Sequence, residues 1–199
     1  GLQRLKVEFQ PVDDLVDYTR LTELMLGEVH RLNSIVEQFL SLSRPIEIKA
    51  EVFPLPAVLQ ELAALQESDA SQAKVRIQVI AAPNLPPLTA DPSHLTQVLL
   101  NLMLNGLQAM PHGGTLTLEA KTSSSNFLIA VTDTGSGITV DNLRRMFEPY
   151  FTTKAKGTGL GLAISRRIIE AHGGTITATS EVGQGARFEI SLPLNGVEV

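Results

Sequence analysis

"NFLIAVTDTGSGI", residues 126–138, runs through apolar residues to a carboxylate at Asp133 and then places glycine at Gly135 and Gly137. A strand that is nearly all apolar belongs in the middle of a sheet. Its neighbours define the fold. "KVRIQV" alternates with period two through Val75, Ile77 and Val79, as a half-buried strand does, and "GGTLTLEA", "GGTITATS" and "ARFEISLP" supply further strands. Helices lie between them. Pro54 to Gln72 carries helical apolar spacing. A longer helix runs from Asp91 to Met110, with Asp91 as its cap, Pro92 at the first helical position, and Leu95, Val98, Leu99, Leu102 and Leu107 on one broad apolar face. "GTGLGLAISRRIIEAHGG" supplies another helix, closed by glycine. The expected class is α+β: a mixed sheet covered by helices on one face, forming an α/β sandwich.

Ahead of this region the period changes. Leu15, Tyr18, Thr22, Met25, Val29, Leu32, Val36 and Phe39 keep alternating three- and four-residue steps, the seam of a coiled-coil-like helix. Leu21, Leu26, Ile35 and Leu40 widen that stripe, so the helix is read as part of a bundle. Leu2, Leu5 and Phe9 also have helical spacing, and "QPVDD" with Pro11 reads as a turn, which makes a helical hairpin, half of a four-helix bundle. Pro45 ends the second arm, and "IEIKAEVFPLP" is read as an extended linker. The expected organisation is a hairpin over 1–44, a linker over 45–56 and a second domain over 57–199.

The 199 residues include enough apolar side chains for a real core, and the net charge is −5. That charge argues against a nucleic-acid partner, which wants a basic surface. The absence of cysteine excludes disulfides and thiolate metal sites and fits a reducing compartment. No apolar stretch approaches the roughly 20 residues that span a bilayer, and "GLQRLKVEFQ" lacks the pattern of a signal peptide. A soluble, cytoplasmic chain without membrane contact of its own is expected. His94, His112 and His172 are not clustered with carboxylates at metal spacing, so they are read as structural and no zinc is expected.

Glycine-rich "GTGLGL", residues 157–162, sits at a helix start, where backbone N–H groups and the helix dipole can hold phosphate. It is no Walker A loop, since no Gly-Lys-Ser/Thr follows, and no dinucleotide fingerprint, since position 162 is leucine. Alone it could equally be a structural turn. Four motifs in order carry more: "NLMLN" with Asn101 and Asn105, then "DTGSG", then "FEPYF" with Phe147 and Phe151, then "GTGLG". In this order and spacing the chain resembles the Bergerat-type ATP-binding domain of sensor histidine kinases, through its N, G1, F and G2 boxes, and most of all the nitrogen-regulation-like branch. "EVHRLNSIVEQFLSLSRP" resembles the second helix of that family's dimerisation and histidine-phosphotransfer bundle, so the resemblance spans almost the whole chain.

The resemblance implies a role for each box. Asp133 would accept a hydrogen bond from the adenine amino group, with Gly135, Gly137 and Ile138 letting the backbone pass close to the ring. An ordinary turn aspartate is the plainer alternative. Asn105 would give an amide oxygen to magnesium, and Asn101, one turn earlier on the same face, would join it at the catalytic metal–phosphate cluster. For either, hydrogen bonds to a neighbouring loop are the structural alternative. Gly157, Thr158, Gly159, Leu160 and Gly161 would turn N–H groups to the phosphates, and Lys154 and Lys156 would add charge unless they are merely solvated. Residues 139–156 correspond to the ATP lid, in which Phe147 and Phe151 flank Pro149 either as a docking hinge or as plain core. Many relatives carry a basic residue three positions after the magnesium asparagine. Here it is Gln108, for which a lid lysine would substitute.

The implied function is that of a protein histidine kinase using ATP and Mg2+, homodimeric through its helical bundle, which passes the γ-phosphoryl group to a histidine for relay to a response regulator receiver domain. The alternatives are an ATP-hydrolysing clamp like the gyrase, mismatch-repair or chaperone members of the superfold, or an interaction module with a vestigial nucleotide site. Asn101 separates the first two, because the hydrolases use glutamate there as general base and an amide cannot take a proton from water. The family's acceptor histidine is followed by an acidic residue and then an Asn-Pro kink, which this sequence lacks; His30 is followed by Arg31. The 199 residues are therefore expected to bind ATP or ADP without phosphorylating themselves.

Overall fold

A computed structural model of the chain describes residues 15–43, 45–154 and 157–194 and divides the chain after Pro45 into two units. The first unit contains one described helix, α1 (Leu15–Ser43). Thr22 is buried and turns its hydroxyl onto the carbonyls of Tyr18 and Thr19. Met25, Val29, Leu32 and Val36, four of the seam positions, are exposed together with Leu21, Leu24 and Leu40. The first arm of the expected hairpin, its turn at Pro11, and the side chain of His30 lie outside the described residues.

The second unit opens with β1 (Glu51–Phe53) and α2 (Leu55–Gln72), followed by β2 (Val75–Ala81), β3 (Leu88–Ala90) and α3 (Pro92–Ala109). Then come β4 (Gly114–Thr122), β5 (Asn126–Asp133), the short α4 (Val140–Arg145), α5 (Gly161–Ala171), β6 (Thr175–Glu181) and β7 (Gly185–Pro193). The stretch read as a linker is extended, but it is not free. β1 pairs antiparallel with β3, Val52 opposite Thr89, and α2 already begins at Leu55. The reason is that β3 offers unpaired backbone to the segment that follows Pro45.

Five strands form one sheet in the order β2-β4-β5-β7-β6, parallel between β2 and β4 and antiparallel elsewhere, so the sheet is mixed as expected. β5 lies in the middle, paired on both sides. The parallel pair requires a long crossover, and α3 lies within it. Leu118, Val131 and Phe188 align across three strands, as do Ala120, Ile129, Ile190 and Ile176 across four; all are buried. Against that face pack Leu59 and Leu62 of α2, Leu95, Val98, Leu99 and Leu102 of α3, and Ile164 and Ile168 of α5, all of them buried. The opposite face is polar: Arg187 pairs with Glu119 and Glu189 and donates to Thr132 Oγ1. α3 starts where Asp91 caps it, accepting from the N–H groups of Ser93 and His94. This fixes α3 over the sheet and sets the positions of Asn101 and Asn105.

Candidate active site

The site is built at the C-terminal end of β5. Its pairing with both neighbours continues to Asp133, which lies opposite Leu116 on one side and Ala186 on the other, and its carboxylate is buried. Gly106 of α3 presses on it: a Cβ there would lie 3.3 Å from the Asp133 Cβ and 2.6 Å from Leu116 Cδ1. A helix comes this close to a strand only where it lacks a side chain. Asp133 Oδ1 accepts from the Gly135 N–H at 2.8 Å, and the Ala186 N–H adds a second donor. Burial outweighs both and pushes the carboxyl above the ordinary carboxylate range.

The turn after Asp133 is held from two sides. Ser136 N–H donates to Ala109 O at the end of α3, at 3.1 Å, and Gly183 N–H of the β6–β7 hairpin donates to Ser136 O at 2.8 Å. Gly135 lies so near Ala109 that a Cβ would come within 2.5 Å of its carbonyl oxygen. Gly137 has φ +68° and would drive a Cβ into the Glu181 carbonyl. Ile138 N–H donates to Ser180 Oγ at 2.8 Å, and that hydroxyl passes on to Gly185 O. The glycines therefore let backbone from α3, the turn and the hairpin converge beside one carboxylate.

Asn101 and Asn105 occupy the next stripe of α3. Asn101 Nδ2 donates to Ser165 Oγ of α5 at 2.9 Å, and a Cβ at Gly161 would lie 2.5 Å from its Oδ1. Asn101 thus ties α3 to the first turns of α5. Asn105 Oδ1 accepts from Lys154 Nζ at 2.5 Å, and the same ammonium reaches Gln108 Oε1 at 2.5 Å. Burial pulls the Lys154 pKa down.

In the segment between α4 and α5, Gly157 N–H is spent on Lys154 O and Leu160 N–H on Thr158 Oγ1, while the Leu160 side chain is core. Two of the five N–H groups expected to face phosphate are therefore engaged within the loop. A Cβ at Gly159 would run into the Tyr150 backbone, and Tyr150 itself holds φ +67°. Phe147 and Phe151 are half-buried rather than core; each lies near an arginine, Arg166 for Phe147 and Arg145 for Phe151. Lys156 lies outside the described residues.

Among the described residues no group of three or more His, Asp or Glu side chains could hold a metal. A divalent ion at this site would thus depend on amide oxygen and on ligands brought by a nucleotide, the oxygen-rich sharing that magnesium favours. Asn105 Oδ1 suits that role, because it already faces a cation.

Residues 90–196 match the family described as histidine kinase-, DNA gyrase B-, and HSP90-like ATPase, more than half of the chain. The chain belongs to this ATPase family. It is 43% identical over 176 residues to the sensor histidine kinase ZraS of Escherichia coli O157:H7, covering 88% of this chain but only 38% of that protein. Full-length ShkA in complex with AMPPNP is similar in structure, with a TM-score of 0.86 at 27% identity, over 100% of this chain and 43% of that one. Histidine kinase ThkA in complex with the response regulator protein TrrA has a TM-score of 0.74 at 25% identity, over 97% of this chain and 55% of that one. Within the ATPase family the chain has the catalytic fold of sensor histidine kinases.

Some of what builds this candidate site escapes sequence reasoning. Gly106 is detectable only as a glycine inside an apolar helix beside Asn105, and Ser165 and Ser180 carry no local signal at all. Their partners are 64 and 42 residues away in sequence.

Proposed function

We propose that the second unit binds magnesium-ATP with its adenine on Asp133 and passes the γ-phosphoryl group to a histidine, for relay to a response regulator receiver domain. The observation that carries this reading is the Asp133 carboxylate: buried, held at a strand end by two N–H groups, and still above its ordinary pKa. Such a group lacks donors, and adenine brings one in its exocyclic amino group, whereas guanine presents a carbonyl at the same ring position. Asn105 Oδ1 would hold magnesium, whose charge would neutralise the phosphates. Lys154 and the glycine-rich turn before α5 would position the phosphates; Asn101, bonded to Ser165, would keep α3 and α5 in register. An amide at position 101 gives no general base for water, which favours transfer over the hydrolysis of an ATP-driven clamp.

The relay partner is argued from ThkA, which is seen with a response regulator protein. The exposed apolar stripe of α1 suits burial in the bundle of a homodimer. No described helix is long and apolar enough to cross a membrane, and under this reading the site works in the cytoplasm. Residues 1–199 by themselves are proposed not to autophosphorylate, since no histidine among them is followed by an acidic residue and an Asn-Pro kink. Acid-labile label on His30 after incubation with γ-labelled ATP would overturn that point.

Calorimetry with ATP and GTP tests the site. ATP is expected to bind far more tightly, and Asp133→Ala to weaken it about 10- to 100-fold, the loss of one charge-assisted hydrogen bond of roughly 1.5–3 kcal/mol. Equal affinity for the two nucleotides, or unchanged ATP affinity in the folded variant, would reject the assignment.

A further inference from the structure

Lys154 holds the oxygen that magnesium would need. Its ammonium donates to Asn105 Oδ1 and to Gln108 Oε1, both at 2.5 Å. Asn101, Asn105 and Gln108 follow one another at steps of four and three along α3, so they form one stripe, with the lysine laid across its last two members. The backbone beneath the lysine is fastened on both sides: its N–H donates to Thr152 Oγ1 at 3.1 Å, and its carbonyl accepts from Gly157 N–H at 3.0 Å. Gly157 lies close to both partners: a Cβ there would meet Thr152 Oγ1 and approach Lys154 Cβ to 3.2 Å. The ammonium therefore reaches α3 from a backbone fastened at Thr152 and at Gly157.

We propose that Lys154 is an exchanging cation: it occupies Asn105 Oδ1 until a magnesium-nucleotide arrives, then gives up that oxygen to the metal and turns to phosphate oxygens, with Gln108 as the positioning residue that keeps it in reach. The inference rests on the ATP-site reading above. Magnesium sits about 2 Å from its oxygen ligands, so an ammonium hydrogen-bonded to the same carbonyl would lie beside it as a like charge, and both cannot stay. Lysine has three N–H donors and the two amides engage two. A phosphate oxygen can therefore take the third before Asn105 is released, so the ammonium need not pass through an unpaired state. Gln108 is neutral: it guides the ammonium without holding it as a carboxylate would, and it adds no charge that would compete for the metal.

The exchange makes two demands that a simple phosphate-binding lysine does not make together. Removing the ammonium weakens nucleotide binding yet makes the metal position easier to fill, and Gln108 acts only through Lys154. Calorimetric titrations of the chain with ATP, at magnesium concentrations from zero upward, read both, with adenosine as the control ligand. Lys154→Met is expected to lower magnesium-free ATP affinity about ten-fold while lowering the magnesium concentration that gives half the magnesium-dependent gain. Gln108→Leu, at an exposed position, is expected to weaken ATP binding about three- to ten-fold with Lys154 present and to have no effect in the Lys154→Met background. Adenosine affinity is expected to be the same in all four proteins. Equal effects of Gln108→Leu in both backgrounds, or an unchanged or higher magnesium midpoint in Lys154→Met, would overturn the exchange. Failure of the wild type to bind adenosine or ATP at all would reject the ATP-site reading instead.

Discussion

Two buried aspartates, Asp91 ahead of α3 and Asp133 beneath Gly106 near its far end, have the same chemistry and opposite electrostatics. Their exposures are 3% and 4%. Asp91 accepts from Ser93 N–H, Ser93 Oγ, His94 N–H and Lys49 N–H, at 3.0, 2.6, 3.1 and 2.9 Å. Burial alone would raise its pKa, but these donors, with the nearby His94 ring, outweigh burial and hold it well below the carboxylate range. Its own N–H donates to His172 Nε2 at 3.0 Å, while His172 Nδ1 lies 2.7 Å from Ile168 O, so the ring is the Nδ1–H tautomer and links α5 to the start of α3. Asp133 has two N–H donors, and burial wins. A carboxylate saturated by its own chain is a structural joint. One left short of donors has room to accept another, as the proposed adenine contact would require.

The largest blow to this contrast comes from the glycine behind Asp133. Gly185 has φ +85°, and a Cβ there would drive into the Asp133 carbonyl oxygen, so Gly185→Ala must part β7 from β5 beside Asp133. Left-handed strain of about 1–2 kcal/mol and an overpacking cost of about 1–3 kcal/mol add to an expected loss of about 2–5 kcal/mol. Gly183, with φ +83° in the same hairpin but nothing within 4 Å, is the control, since alanine there meets the strain alone. Urea melts of the two variants separate collision from strain. Equal losses would mean that Asp133 is not held by close backbone contact.

Asp91→Ala comes next. It removes a helix cap worth up to about 2 kcal/mol and strands the Lys49 N–H, for an expected loss of about 2–4 kcal/mol. The pH dependence has a definite sign. Because the folded pKa is depressed, the contribution of Asp91 is complete above its unfolded value, about 3.9, and is lost as pH falls below it. The wild type is therefore expected to lose stability in acid more steeply than Asp91→Ala, as measured by melting temperature from pH 6 downward. Parallel acid profiles would contradict the saturated state of Asp91.

The difference between the two aspartates was only half legible in the sequence. The capping role of Asp91 is local: Pro92 and the following helical stripe announce it, and two of its partners, Ser93 and His94, lie within three residues. Lys49 and His172 do not announce themselves, because the segment bearing Lys49 reads as linker and β1 is too short for its period to be seen. For Asp133 the apolar strand and the glycines mark only a carboxylate at a strand end before a turn, and its expected role comes from the family resemblance. That it is short of donors was not visible, since the Ala186 N–H and the Gly106 contact come from other elements. The aromatic pair is the least legible: "FEPYF" leaves a docking hinge and plain core both open, and the arginines beside Phe147 and Phe151 come from α5 and α4.

The smallest expected effect is the one whose sign matters most. Asp133 has a folded pKa raised by burial, so the folded chain holds that proton more tightly than the unfolded chain does. Its contribution to stability therefore declines as pH climbs from about 3.9 through the raised folded value, and above that value the whole cost is present. Asn at 133 has no proton to lose; its amide oxygen can keep the Gly135 N–H, and its NH2 group would confront the adenine amino group donor to donor. Asp133→Asn is thus expected to melt at or above the wild-type temperature at pH 7, without the wild-type decline that sets in above about pH 4, while losing adenine affinity. Thermal melts at stepped pH, run beside nucleotide titrations of the same protein, read both sides. A variant that melts below the wild type at pH 7 and keeps the wild-type profile would show the Asp133 carboxylate to be fully served by its own backbone, and the contrast with Asp91 would collapse.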